Sequence, residues 1–331
     1  MPHLRYNPLL RTYTMVAANR QSRPHLPADY CPFCPGSGKV PNEYDVYVYA
    51  NDFPALSNLP DAIEEGQVEQ LSGYATHQAP AYGCCEVILY ASNHRANLYD
   101  LPLWHIEKLV ATWQQRHRQL SANERIQYIF PFENRGEEVG VTMHHPHGQL
   151  YAYPFVPLKI VTELDSCHHY YRHHGEPLFE ALNRFELSDG RRIITQNDHF
   201  VAYLPYFTDY PYGVFIVAKH QLANFDQFTP AHITALAQIL RQITGAFDHV
   251  FDRPFPYMMC IHQTPVNSPQ YADAHTWYRF HIEFYPPLRE KNKVKWYASS
   301  EMGAWAAANT LAVEDTAQTL RQALAKWENQ V

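Results

Sequence analysis

The chain has 331 residues, with 26 Lys and Arg against 33 Asp and Glu for a net charge of −7, which suits one large mixed α and β unit or two ordinary domains. A hydrophobic fraction of 46% excludes wholesale disorder, and an acidic balance with no basic block excludes a dedicated nucleic-acid binder. No window approaches 18 apolar residues, so no membrane-spanning helix is expected.

The opening MPHLRYNPLLRTYT lacks the apolar stretch of a secretory signal, so the expected compartment is the cytoplasm and the six cysteines are expected as thiols or metal ligands. Cys31-Pro-Phe-Cys34 runs into the turn Pro35-Gly-Ser-Gly38, which suits a metal knuckle better than the helix a redox pair would open. The nearby Gly36-Ser-Gly-Lys39 fails the spacing of a phosphate-binding loop, and no GxGxxG occurs. Residues 44–50 read as a strand, as does the buried run CCEVILY over residues 84–90, opened by the core thiols Cys84 and Cys85. A 3.6-residue period predicts a helix over residues 102–120, with Trp104, Ile106, Leu109, Val110, Trp113 and Leu120 inward. Residues 126–134 read as a strand. A further strand through His145-Pro-His147-Gly-Gln149 would set His145, His147 and Gln149 on one face at period two. The histidine-rich run 167–174 reads as a polar helix face ending at Gly175. Strands over 200–206 and 213–220 precede a helix over 230–250, with Ile233, Leu236, Ile239, Leu240, Ile243 and Phe247 inward. Cys260 falls in an apolar run, and a helix over 314–327 closes the chain.

These pieces recur in order. Asn51-Asp52-Phe53 is echoed by Asn197-Asp198-His199, the strand before His94 by the strand before His220, and His145-Pro-His147-Gly-Gln149 by His281-Ile-Glu283-Phe-Tyr285, with a long helix in each half. The expected class is α+β, two tandem halves of antiparallel sheet with flanking helices, residues 1–165 and 166–331. Duplication is the preferred origin; two alike halves of separate descent is the alternative.

Twenty histidines need explaining. His-Pro-His147-Gly-Gln149, with Cys31-x-x-Cys34 upstream and Phe132-Glu-Asn134-Arg-Gly136 just before it, resembles the galactose-1-phosphate uridylyltransferase family, the transferase branch of the histidine-triad superfamily. The likeness covers nearly the whole chain, from Arg5-Tyr-Asn-Pro8 to Phe284-Tyr-Pro-Pro-Leu-Arg289. It implies two histidine-triad-like halves, the first with the nucleophile and a zinc site. It implies His147 as a nucleophile that attacks the α-phosphorus of a nucleotide sugar, expels the sugar 1-phosphate, and passes UMP to a second sugar 1-phosphate. Neutral imidazole suits that task near pH 7. Gln149 would offer an amide donor to a phosphoryl oxygen where the superfamily's hydrolases resemble this motif with His, favouring transfer over release to water. Arg20, Arg23, Asn134 and Thr142 resemble phosphate-contacting positions, and Asn51, Asp52 and Phe53 the base-binding segment.

The resemblance further implies a structural zinc on Cys31, Cys34, His94 and His145. A second metal, iron or zinc, would sit on Glu163, His262, His281 and Glu283, where Glu283 replaces the family's His and hardens the ligand set. Lys295 and Glu301 match hexose-contacting positions, but Ser300 and Ala307 replace a Tyr and a Gln, which predicts a roomier sugar pocket. In the family this stretch reaches the neighbouring subunit, implying a homodimer with shared active sites. The implied partners are a nucleotide sugar and a sugar 1-phosphate, with neither nucleic acid nor membrane. Two other readings stay open: a nucleotide-sugar phosphorylase of the ADP-glucose type, and a catalytically silent nucleotide-binding protein of the same fold.

Overall fold

The computed structural model describes residues 2–22, 30–60 and 78–330. Its centre is a nine-stranded sheet, antiparallel at every step. A small sheet is made by β1 (His3–Asn7), β2 (Thr12–Val16) and β4 (Gln78–Pro80). The first half of the large sheet takes β3 (Tyr47–Ala50), β5 (Cys84–Leu89), α1 (Leu103–Ser121), β6 (Tyr128–Arg135) and β7 (His147–Tyr153). After α2 (Leu158–His174), α3 (Leu178–Asp189) and β8 (Ile193–Gln196), the second half takes β9 (Phe200–Tyr203), β10 (Phe215–Ala218), α4 (Pro230–Val250), β11 (Tyr257–His262) and β12 (His281–Tyr285). A short hairpin, β13 (Leu288–Glu290) and β14 (Lys293–Val294), leads to α5 (Ser299–Gly303) and α6 (Val313–Glu328).

The strand order is β3-β5-β7-β6-β11-β12-β10-β9-β8. Strand, strand, helix, strand, strand therefore runs outward-in from β3 to β6 and again from β9 to β11, and the halves join along β6 and β11. Asn51 and Asn197 even make the same local turn, each accepting a backbone N–H two residues on, from Phe53 and His199. α2 straddles residue 165.

The sheet's two faces are both covered. α1, α4 and α6 bury Ile88, Leu150, Met259 and Ile282 on one side. Gly245 lets the Trp327 indole of α6 press onto α4, since a Cβ there would sit 2.7 Å from the ring. α2 and α3 cover Tyr128, Tyr151, Tyr203 and Val217 on the other. Alternation then puts Val87, Gln149, Phe132, Cys260, Glu283 and Phe215 in one cross-strand row on that second face. The histidine-rich run is the last half of α2, ended by left-handed Gly175.

Candidate active site

The strand β7 opens at His147, so His145 lies before it and not on it. This corrects the expectation that all three polar groups share one strand face. Pro146 turns the chain, and the buried His145 ring goes to the cysteines, while His147 and Gln149 face the cleft. The His147 Nδ1 stands 2.6 Å from the His145 carbonyl oxygen. That contact puts the ring proton on Nδ1 and the lone pair on Nε2, the tautomer a nucleophile needs. Phe33 packs on the ring at 5.6 Å. Beneath it, Gly148 admits the Tyr90 hydroxyl, which would lie 2.2 Å from any Cβ.

Two lobes of a cleft meet at His147 and Gln149. One is lined by Phe33, Tyr49, Asn51, Asp52, Phe53 and Val87, an aromatic slot with a polar floor. There Asp52 accepts from Lys39 at 2.8 Å and from the Tyr49 hydroxyl at 2.7 Å. Burial opposes ionisation of Asp52, but these two donors outweigh it and hold the carboxyl below its ordinary range. The other lobe is lined by Arg20, Asn134, Thr142 and Gln149. Arg20 is steered into it by a 2.7 Å bond from Nη1 to the Tyr151 hydroxyl. An aromatic slot joined to a cationic and amide-lined lobe through an imidazole is suited to a base, its phosphates and transfer between them. Arg23 lies outside the described residues. Lys295 and Glu301 line neither lobe: Lys295 Nζ donates to the Asp209 carbonyl, and Glu301 accepts from the Ala298 N–H. Ala307 lines a different cavity, beside Glu163 and Glu283.

Cys31, Cys34, His94 and His145 bring one ligand atom each within 4.8 Å of one another. Cys34 Sγ lies 3.4 Å from His94 Nδ1 and 3.7 Å from His145 Nδ1. On His145, Nε2 meets the Ala91 carbonyl at 2.8 Å, so the proton is there and Nδ1 keeps its lone pair for a metal. Burial also lowers the His145 pKa to about 4, which keeps the ring neutral. These residues fit a tetrahedral zinc of two sulfurs and two nitrogens.

Glu163, His262, His281 and Glu283 likewise gather within 4.8 Å. His281 Nδ1 donates to the Arg279 carbonyl, which leaves Nε2 buried with no hydrogen bond and aimed at Glu283 Oε1, 3.4 Å away. Glu163 Oε1 is also buried and unbonded. Two such atoms in one cluster fit a metal. Burial disfavours the Glu283 carboxylate, yet His262, Lys159 and His281 around it hold it far below its ordinary range.

Several contributors escaped sequence reasoning. Tyr44 holds His145 and Phe33 through its hydroxyl. Lys159 lies against Glu283. Glu133, fully buried on the α1 side beside Tyr90 and Tyr257, has its pKa pushed up to about 7 by burial. Only the alternation of Phe132-Glu-Asn134 hinted that Glu133 lies on the sheet face opposite Phe132 and Gln149.

The family models described as galactose-1-phosphate uridyl transferase, N-terminal and C-terminal domain, match residues 1–157 and 163–329. The chain belongs to this family. A relative named galactose-1-phosphate uridylyltransferase from Thermotoga maritima is 37% identical, over 97% of this chain and 98% of its own. One of the same name from Saccharomyces cerevisiae is 30% identical, over 88% and 86%. Among solved structures, a uridylyltransferase superposes with a TM-score of 0.86 at 28% identity, covering 98% of this chain and 99% of its own. An Arabidopsis thaliana ADP-glucose phosphorylase with bound ADP-glucose shares the fold, at TM-score 0.72 and 23% identity over 97% and 99%. Galactose-1-phosphate uridylyltransferase chains and this one thus share an architecture along their full length.

Proposed function

We propose that this member of the galactose-1-phosphate uridylyltransferase family exchanges UMP between a UDP-hexose and a hexose 1-phosphate. The observation that carries this reading is the His147 tautomer, with Nδ1 committed to the His145 carbonyl and Gln149 beside it. In the first half-reaction Nε2 of His147 bonds to the α-phosphorus and the bond to the hexose 1-phosphate oxygen breaks, giving a uridylyl-histidine. In the second, an oxygen of the acceptor hexose 1-phosphate displaces the imidazole. Gln149, Arg20, Thr142 and Asn134 hold phosphoryl oxygens, and Asn51, Asp52 and Phe53 hold uracil and ribose.

Zinc on Cys31, Cys34, His94 and His145 would fix the turn before β7 and hence the aim of His147, a structural role. When bound, a second ion on Glu163, His262, His281 and Glu283 would tie α2 to β11 and β12. Lys295 and Glu301 would serve the active site of a partner subunit. Their segment exposes Trp296 and Trp305 at 71% and 64%, apolar surface that a homodimer would cover. A cytoplasmic enzyme is the reading that this metabolic role favours, in a compartment where cysteines stay reduced or bind metal. No helix among the described residues is long and apolar enough to cross a membrane.

Isotope exchange tests the half-reaction: labelled glucose 1-phosphate should enter UDP-glucose with no galactose 1-phosphate present. UDP-glucose with sugar phosphate should also outpace ADP-glucose with inorganic phosphate. Turnover of the second pair alone would replace this reading with the phosphorylase one, and nucleotide binding without any exchange would make the protein silent.

A further inference from the structure

The second cluster already has a cation against it. Lys159 stands one helical turn before Glu163 on α2, and its Nζ lies 2.5 Å from Glu283 Oε2 and 3.8 Å from Glu163 Oε1. The ammonium also donates to the Tyr285 hydroxyl and rests 4.7 Å from the centre of that ring. Glu283 is thereby split: Oε1 faces His281 Nε2 at 3.4 Å, and Oε2 faces Lys159, with His262 Nε2 farther off at 3.9 Å. A divalent ion placed among Glu163, His262, His281 and Glu283 would compete with Lys159 for those carboxylate oxygens. It would also meet a positive charge within a few ångströms, a repulsion that a partly buried setting screens poorly.

The opposite side of the balance is equally plain. Without Lys159, Glu163 would keep His262 Nδ1 at 2.9 Å and the Tyr278 hydroxyl at 2.8 Å, but Glu283, only 5% exposed, would be left with His281 at 3.4 Å and His262 at 3.9 Å, and a buried carboxylate held by such long contacts is costly. Lys159 itself is 56% exposed and lines a cavity with Phe179, Phe207 and Asp209, so its head can leave toward solvent without unfolding α2.

Resting on the reading of these four residues as a metal-binding set, we propose that Lys159 is the resident cation of the second site. It holds the carboxylates together in the metal-free chain and weakens the site for divalent ions, so occupancy there is optional.

The test uses the full-length protein in four forms: wild type, Lys159→Met, Lys159→Arg, and Lys159→Met combined with His281→Ala. Metal per chain is read by elemental analysis, zinc affinity by competition with a chromophoric chelator, and stability by melting with and without chelator. Lys159→Met should bind a second zinc at least roughly tenfold more tightly than wild type, a difference of about 1.4 kcal/mol. It should melt lower than wild type once that zinc is withdrawn and recover when zinc returns. Lys159→Arg should behave as wild type, and His281→Ala should erase the gain. A second zinc of equal affinity in wild type and Lys159→Met overturns the role of Lys159. No second zinc in any form overturns the metal reading of the four residues themselves.

Discussion

His147 and its two neighbours divide their work by the side of the strand on which each lies. His147, the proposed nucleophile, faces the cleft, Gly148 faces Tyr90, and His145 turns away before the strand begins. Gly148→Ala should therefore push β7 off the buried Tyr90 hydroxyl and lower kcat at least roughly tenfold while leaving the metal sites loaded, a displacement of the reacting nitrogen and not a loss of chemistry. Trimming Tyr90 to Phe in the same protein should recover part of the loss, which steady-state kinetics would read. Glu133 supplies a pH test. Its folded pKa is raised to about 7 by burial, with Tyr257 donating to Oε1. A carboxyl with a raised pKa contributes its stability below the unfolded value, 4.5, and loses it as pH rises through 7. Glu133→Gln should thus stabilise the protein on the order of 2 kcal/mol at pH 8 and hardly at all at pH 4, by denaturant melts at both. Equal effects at the two pH values would show that burial leaves the Glu133 pKa at its unfolded value. His147 and Gln149 were legible from their motif. Glu133 was not, because its pKa depends on what the other sheet face packs against it.

The two candidate metal quartets join elements that sequence order keeps apart. The first ties the Cys31–Cys34 loop to the turn after β5 and the turn before β7, so losing it frees both ends of the nucleophile's approach. Cys34→Ser should cut zinc content to near zero, lower the melting temperature by roughly 5 °C or more, and reduce activity, since zinc binding is linked to folding free energy. Preserved melting with complete zinc loss would remove the structural role. Trp327→Ala, on α6 against Gly245 and far from the cleft face, should cost about 3–5 kcal/mol yet leave kcat of the folded fraction unchanged. Helices α1, α4 and α6 were readable to within a residue or so because each carries a 3.6-residue apolar period, although Trp104, read as inward on α1, is 55% exposed. Most strands read from sequence are present but a few residues shorter at their ends, while β6 runs through both Pro131 and Asn134. α3 and the sheet of β1, β2 and β4 went unread. β1 reaches β4 across some 70 residues, a pairing that no local pattern announces.

Across the whole molecule, the two halves put the proposed active site and the second cluster on one sheet face, Gln149 and Glu283 in one row with Phe132 and Cys260 between them. Three strand spacings separate them, roughly 14 Å, so the second cluster stands beside the chemistry and outside contact with it. The sugar is where sequence told least, because among the described residues Lys295 and Glu301 line neither lobe of the cleft. If they act across a dimer, His147→Ala and Lys295→Ala proteins, each weak alone, should recover activity when co-expressed, since the mixed dimer contains one intact site. No recovery would confine the site to a single chain. With Ser300 and Ala307 in place of larger polar residues, glucose and galactose 1-phosphates should react within roughly tenfold of each other, about 1.4 kcal/mol. A preference above a hundredfold or so, about 2.8 kcal/mol, would show the lost contacts restored elsewhere.

The central claim is that one nitrogen of His147 carries the nucleotide between two sugars, and it is tested by trapping that nitrogen in the act. The enzyme is incubated with mass-tagged UDP-glucose and no acceptor, quenched under alkaline conditions that spare phosphoramidates, digested and read by peptide mass spectrometry. The expected result is an acid-labile uridylyl group on the peptide bearing His147, absent from His147→Ala and discharged by added galactose 1-phosphate. An active enzyme that forms no adduct, or whose adduct survives in His147→Ala, would contradict the account.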